Sequence, residues 1–472
     1  MATARKKKSW VICPVCKQPN PVGARFCQHC HKAIRQDTSP VSYEEMEDIS
    51  KTKLSRWKRR RRRKIAAISL AVTAILALAV SVCLYFFTDI VSPPPQNVNS
   101  DSPPGDWAMF RHNLNRSGTS DPDGRPAQGT VAWVFSTGGP IHSSPAVSNG
   151  IVYVGSRDDK LYALDADTGA KLWEYETGSW VDSSPAIING VVYFGSNDGR
   201  LYALDAGSGE KLWGFKTSAP VTSSPAVADG IVYFGSDDYY IYALDAITGA
   251  KLWSFKTGSY VKASPAVVNG IVYIGSMDGL YYTFHALTGR PRLQFECGCA
   301  IMPSPVVSNG TAYFITAQGL LYALEAKARN WLWEKELRPW WVSLHLHGLA
   351  PCSPDPTGLL WSLWLGAPVN SSPALIDNIM YIGVGNKLLA INIGDQQMLW
   401  AFQTGGSVRS SPVVVGKTVY IGSEEGRLYA VDANSGQRLW EVSTDDRITS
   451  SPAVAAGMIY VGSHDGNLYA IK

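Results

Sequence analysis

Four cysteines near the start of the chain, Cys13, Cys16, Cys27 and Cys30 in "CPVCKQPNPVGARFCQHC", carry the most specific chemistry in the sequence. Their C-x2-C-x10-C-x2-C spacing lets two knuckles each turn a pair of thiolates toward one tetrahedral Zn²⁺. Cysteine fills all four ligand places, so no coordination position stays open for a substrate and the expected site is structural. A module this short buries too little apolar surface to fold alone, and zinc is expected to supply its folding free energy. Four unrelated thiols or a disulfide pair is the competing account, which suits a reducing compartment poorly. His29 and His31 are read as bystanders.

A second set of chemically capable residues stands one per repeat. A Ser-Pro phrase recurs: "SSPAV" at Ser143, Ser223 and Ser450, with "SSPAI", "ASPAV", "PSPVV", "SSPAL" and "SSPVV" from Ser183, Ala263, Pro303, Ser371 and Ser410. The residues just before it are His142, Asp182, Thr222, Lys262, Met302, Asn370, Arg409 and Thr449. Around them the phrase barely changes, whereas these positions vary in charge, size and polarity. Variable residues on the loops of a repeated scaffold are candidates for a ligand-binding rim, with plain solvated loops as the competing reading. Cys297 and Cys299 in "ECGCA" offer a bridge from one of them to Cys352, which would staple a later insertion and leave one thiol free.

These residues need elements to position them. The spacings between Ser-Pro phrases are 40, 40, 40, 40, 68, 39 and 40 residues, a propeller-blade period with one 28-residue insertion. Each unit holds four short β-branched and aromatic segments separated by Asn-Gly, Asp-Gly and Thr-Gly turns, as expected of a four-stranded antiparallel blade. Eight units are present. The last ends at "LYAIK" without a fourth strand, while "TVAWVFSTG" at 130–138 is a fourth strand with no unit before it. The two ends are expected to complete one blade, which closes the ring and removes its open edges. The fold class is therefore all-β, an eight-bladed propeller, whose connections from fourth to next first strand ring the channel. The insertion is expected on that same face, between blades five and six, as a lid or a partner surface rich in Trp340, Trp341, Trp361 and Trp364.

Ahead of the repeats, residues 65–87 are 23 uncharged, mostly apolar residues, roughly 35 Å as a helix and enough to span a bilayer. Arg56 and the run Lys58 to Lys64 precede them; this block predicts a cytoplasmic N-terminus and an extracytoplasmic propeller. Residues 1–64 hold 18 Lys+Arg against 5 Asp+Glu and the remainder 25 against 34, so the basic charge belongs to topology and lipid contact, in preference to nucleic acid. The predicted domains are a zinc ribbon at 1–36, a flexible spacer and basic segment at 37–64, the span at 65–87, a Pro-rich stalk at 88–105 and the propeller at 106–472.

Within the repeat the pattern A-x-D-x-x-T-G-x-x-x-W, at Ala163, Asp165, Thr168, Gly169 and Trp173, resembles the tryptophan-docking motif of the quinoprotein propeller family. The resemblance covers 106–472, including the lead-in "DWAMFRHNLNRSGTS", and implies docking roles for Trp133, Trp173, Trp213, Trp253, Trp333, Trp400 and Trp440. Unit four departs, with His285 and Leu293 in place of Asp and Trp. The cysteine module resembles the short zinc ribbons of prokaryotic membrane proteins. Enzymes of the propeller family hold pyrroloquinoline quinone and Ca²⁺ and carry a disulfide between adjacent cysteines, a pair this chain lacks. Its non-enzymatic relatives include the propeller lipoprotein of the outer-membrane β-barrel assembly machinery. The resemblance thus implies a membrane-anchored binding or assembly scaffold for an extracytoplasmic protein or envelope ligand. A quinone-dependent alcohol or sugar dehydrogenase is the alternative, and a transmembrane sensor the third reading.

Overall fold

The computed structural model describes residues 9–16, 18–87, 106–120, 127–331, 334–351 and 355–472, in two compact units, Met1–Val91 and Ser92–Lys472. In the first, strands Trp10–Ile12 and Pro19–Pro21 pair antiparallel and bring the two cysteine knuckles together. Val11, Cys13, Cys27 and Ile34 make its small core. Helix α1, Tyr43–Phe87, then runs without interruption through the basic block and the apolar segment. The spacer expected to be flexible is thus helical from Tyr43 onward. Ser42 and Glu45 explain the start: the Ser42 hydroxyl accepts the Glu45 N–H while the Glu45 carboxylate accepts the Ser42 N–H, a capping box, and Lys51 pairs with Glu47 one turn on. Its stretch Ser55–Ser81 is long and apolar enough to cross a membrane.

The second unit is eight sheets of four antiparallel strands, one of which gains the short parallel strand Thr119–Ser120 beside its inner strand. The first blade is Ala146–Ser148, Ile151–Gly155, Lys160–Asp165 and Lys171–Glu176, inner to outer. Its middle strands are buried on both faces, whereas the outer strand alternates between exposed and half-buried residues because one of its faces looks to solvent. In the last blade Val131–Ser136 pairs with Asn467–Ile471, and Thr130 and Lys472 exchange both backbone hydrogen bonds at 2.9 Å, so the ring closes through the early strand as expected. A second closure runs round the axis. The N–H of Ser144 donates to Ser184 Oγ, and the bond repeats through Ser224, Ser264, Ser304, Ser372, Ser411 and Ser451 back to Ser144, at 2.9 to 3.0 Å. The serine of each Ser-Pro is a clasp between neighbouring blades.

The outer clasp is tryptophan. Trp133, Trp173, Trp213, Trp253 and Trp400 donate their indole N–H to Ala166, Ala206, Ala246, Ala286 and Ala433 of the following blade at 2.7 to 3.0 Å. Tyr153 donates to the same Ala206 carbonyl as Trp173, and the two rings lie 5.8 Å apart. The Thr-Gly turn, Ser208-Gly209 in blade two, answers both needs of the contact. Gly209 holds φ at +74°, and a Cβ there would stand 2.7 Å from the Trp173 ring. Asp205 Oδ1 accepts the N–H and hydroxyl of Ser208, fixing the turn that presents the glycine. In the seventh blade Trp440 finds its carbonyl on Ala127, so the early chain stands in for the turn that the last blade lacks.

Blade five corrects two expectations. Its fourth strand is Leu359–Trp364, with Trp361 opposite Ala323 and 5.9 Å from Tyr313, so the docking place assigned to Trp333 belongs to Trp361. Trp333 itself lies outside the described residues. The insertion therefore sits between third strand Leu320–Glu325 and fourth strand, inside the blade, and contains helix α2, Glu334–Leu346. Its side of the wheel follows from the turns. Ala166 N donates to Gly150 O, placing the third-to-fourth turn beside the first-to-second turn, and Ala326 N donates to Gly310 O in the same way. Arg157 N donates to Pro140 O, placing the second-to-third turn beside the incoming connection on the opposite face. The insertion thus leaves from the face opposite the channel rim and is no lid over it. In blade four, Asn330 Oδ1 accepts Gln294 N and Asn330 N donates to Arg292 O, so the start of the insertion lies along the outer strand where a docking tryptophan would otherwise be, and Leu293 is buried beneath.

Candidate functional site

The lead-in Asp106–Ser120 forms the floor of the site. It follows the inner strands on the insertion side: the carbonyls of Ala108, Leu114, Asn115, Ser117 and Gly118 accept N–H groups of Ile187, Val267, Val307, Leu375 and Val414 at 2.7 to 3.0 Å. Proline has no N–H, but its carbonyl still needs a donor, and the buried Ser-Pro phrases leave such carbonyls near the axis. Two fully buried arginines supply donors. Arg111 bonds Pro412 O at 2.8 Å and also Pro373 O; Arg116 bonds Pro265 O at 2.9 Å and Pro225 O at 3.1 Å. Burial pushes both guanidinium groups down to about 9, Arg111 also through the nearby charge of Arg116. They remain cationic at neutral pH.

At the other end, all eight residues preceding the Ser-Pro phrases line one cavity of about 500 Å³: His142, Asp182, Thr222, Lys262, Met302, Asn370, Arg409 and Thr449. The geometry follows from the strand order, since each incoming connection delivers one residue to the rim. Sequence reasoning missed a second ring, to which Arg157, Glu424 and His464 belong. They follow Gly-Ser in "GSRDD", "GSEEG" and "GSHDG", a position as variable as the first set and a signal that was available. Arg447 also lines the cavity.

The two rings interlock. Arg157 donates from Nε and Nη2 to the two carboxylate oxygens of Asp182 at 2.8 and 3.1 Å, and Asn197 Nδ2 donates to Asp182 Oδ2 at 3.2 Å. Arg409 Nε pairs with Glu424 at 2.8 Å and Lys262 with Asp237 at 4.0 Å. Thr449 Oγ1 is 2.8 Å from His464 Nε2, and the His464 ring lies 4.0 Å from that of His142. Burial, then the neighbouring His464, pushes His142 down to about 4; burial and Arg447 lower His464. Arg157 also lies 4.6 Å over the Trp180 ring.

Pyrroloquinoline quinone and Ca²⁺ fit these residues poorly. Asp182 is saturated by Arg157 and Asn197, and Glu424 is held by Arg409. Asn370 belongs to blade six, across the ring from Asp182 of blade two, so these two rim residues cannot share one ion. Among the described residues no Trp, Tyr or Phe lines the cavity to stack on a quinone. Cys297 and Cys299 are unbridged, Cys297 Sγ donating to the Gly279 and Cys299 carbonyls, and Cys352 lies outside the described residues.

The cysteine cluster fits a metal well. The sulfurs of Cys13, Cys16, Cys27 and Cys30 lie within 4.8 Å of one another, near the ~3.8 Å edge of a tetrahedron with Zn–S bonds of ~2.3 Å. The His29 N–H and Asn20 Nδ2 point donors at Cys27 Sγ, at 3.4 and 3.5 Å, as a thiolate requires.

Several solved propellers have the same architecture. A europium-containing methanol dehydrogenase is 14% identical with a TM-score of 0.64, over 78% of this chain and 98% of its own. BamB from Moraxella catarrhalis is 17% identical at 0.59, over 73% and 99%. The quinohemoprotein alcohol dehydrogenase from Comamonas testosteroni is 16% identical at 0.64, over 80% and 82%. At such identities the likeness is one of fold. No curated protein sequence matches the chain. Residues 124–239 and 237–472, most of the chain, match the family described as outer membrane protein assembly factor BamB, and the protein belongs to that family.

Proposed function

We propose that this chain is a membrane-anchored scaffold that presents the channel rim of its propeller to an extracytoplasmic protein or cell-envelope ligand. The observation that carries the reading is the contrast between wall and rim. Serine clasps and tryptophan docks repeat from blade to blade, while the residues converging on the cavity of about 500 Å³ include four cations, two carboxylates, two histidines, two threonines, an amide and a methionine. Uniform positions serve the ring, and diverse ones suit recognition of a particular partner. In this reading α1 spans the membrane with the basic block inside, and the four cysteines hold a structural zinc ion on the cytoplasmic side.

Photo-crosslinking from the rim tests the proposal. A benzophenone side chain at Thr222, on the full chain in its native membrane, should give a discrete adduct that Arg409→Ala weakens. The same group at Lys216, on an outer strand, should give none. Equal adducts from both positions would remove the rim from the account. Tryptophan fluorescence during titration with pyrroloquinoline quinone and Ca²⁺ addresses the dehydrogenase reading, which saturable binding with dye-linked alcohol oxidation would reinstate.

A further inference from the structure

The exposed tryptophans of the propeller gather on blade five. Trp331, Trp340, Trp341 and Trp364 are all exposed there, and among the described residues of the second unit Trp180 is the remaining one. Helix α2 organises them. Leu337, Trp340, Trp341 and Leu344 follow i, i+3, i+4, i+7 spacing, so they share one face, and all four are exposed. The helix is pinned at its first residue. Buried Glu334 accepts hydrogen bonds from Asn330 Nδ2, from the Thr357 hydroxyl at 2.8 Å and from the Thr357 N–H at 3.1 Å, tying both ends of the insertion together. At the far end Trp341 Nε1 donates to Pro351 O and His345 Nδ1 lies 3.1 Å from Ala350 O. An apolar stripe is thus held out by a rigid base.

The geometry points to a lipid surface as its occupant: we infer that α2 is an interfacial helix that seats blade five on the membrane carrying the protein's own anchor. Three observations choose lipid over another protein. The chain enters the propeller on the face from which the insertion leaves, since Asp106 accepts hydrogen bonds from Ser148 and Asn149 in a first-to-second turn of that face. Only 18 residues, 88–105, separate Phe87 at the end of the apolar helix from Asp106; fully extended they reach about 60 Å, which keeps α2 near the bilayer at high effective concentration. Beyond Glu334 and Glu336 in the first turn of α2, residues 337–354 contain no Asp or Glu, with Arg338 their one formal charge. Tryptophan, leucine and histidine without carboxylates is the composition of an interfacial segment.

Vesicle sedimentation tests this on residues 106–472, whose strand pairings all close within that span. The fragment should pellet with phosphatidylcholine vesicles at low and at high salt. The double variant Trp340→Ser/Leu344→Ser should lower partitioning by about tenfold or more with an unchanged melting temperature. Leu172→Ser/Leu212→Ser, on exposed outer strands of blades one and two, should leave it unchanged. A fragment that stays in the supernatant overturns the inference, as does equal loss in both double variants. It also fails if the fragment is a lipid-free dimer that Trp340→Ser/Leu344→Ser makes monomeric, because the stripe is then a contact with a second copy.

Discussion

Trp213 is half-buried, its indole N–H bonded to Ala246 O and its ring covering Gly249 of the next blade. Its loss removes a hydrogen bond and part of a large apolar contact at once. Trp213→Ala should therefore cost about 2–4 kcal/mol, somewhat below a fully buried tryptophan. Trp213→Phe keeps most of the packing and should cost about 1 kcal/mol. Urea unfolding of the two variants checks both values, and a midpoint unchanged in Trp213→Ala would mean that the docking contact holds nothing. His142 makes a different prediction. Its folded pKa of about 4 lies below the ~6.5 of an unfolded histidine, so protons bind preferentially to the unfolded chain. The propeller should lose stability as pH falls from about 6.5 through about 4. Burial sets this first, then His464, with Arg157 and Arg447 acting in the same direction and Asp182 opposing them. Urea midpoints at pH 7 and pH 5 should differ less in His142→Asn than in the parent, and an identical difference would assign the acid sensitivity elsewhere.

Elements were legible where a spacing recurred and obscure where a local phrase imitated it. The Ser-Pro interval gave eight blades, and the unmatched strand at Val131 gave the closure, because both depend on pairing rules that every blade obeys. Blade five misled because "NWLWEKEL" continues the 40-residue interval and resembles "AKLWEYET", though it runs into a helix at Glu334. A shorter interval decides the matter: each docking tryptophan stands ten residues before its Ser-Pro phrase, as Trp173 before Ser183, and Trp361 before Ser371 satisfies this while Trp333 does not. The rim is half legible, because the Ser-Pro phrase marks each incoming connection, whereas the second-to-third turns that bring Arg157, Glu424 and His464 are marked only by a preceding Gly-Ser. The arginine floor gave no signal beyond the lead-in's resemblance, because contacts between Arg116 and carbonyls more than a hundred residues away carry no sequence pattern. The first unit adds a prediction at this scale. Chelation of zinc, or Cys27→Ser, should unfold residues 9–41, whose buried core is four side chains, and leave the propeller's melting transition in place. Amide exchange on the full chain reads both, and protection at Val11 that survives chelation would show that the ribbon folds without metal.

At the scale of the whole molecule, eight sheets that each lean on two neighbours have no end at which to fray, provided the ring is shut. The shutting contact is a strand of six residues, Val131–Ser136, laid against Asn467–Ile471 more than three hundred residues away. The same strand carries Trp133, which docks onto blade one, while Ala127 just before it receives Trp440. Closure therefore joins blades seven, eight and one in a single local structure. A chain ending at Gly466 loses the strand between Met458–Gly462 and Val131–Ser136, exposing two unpaired edges and releasing Trp133 from its sheet. This truncation should replace one cooperative unfolding transition by a first, shallower one with a smaller denaturant slope, because the end blades now open separately. A synthetic peptide of the removed residues, 467–472, should raise the first midpoint in proportion to the logarithm of its concentration, as a ligand bound only by the folded ring does. Parent and truncated chains with the same slope and midpoint would mean that the serine clasps and the lead-in close the wheel unaided, leaving the terminal strand pair a covering of the edge.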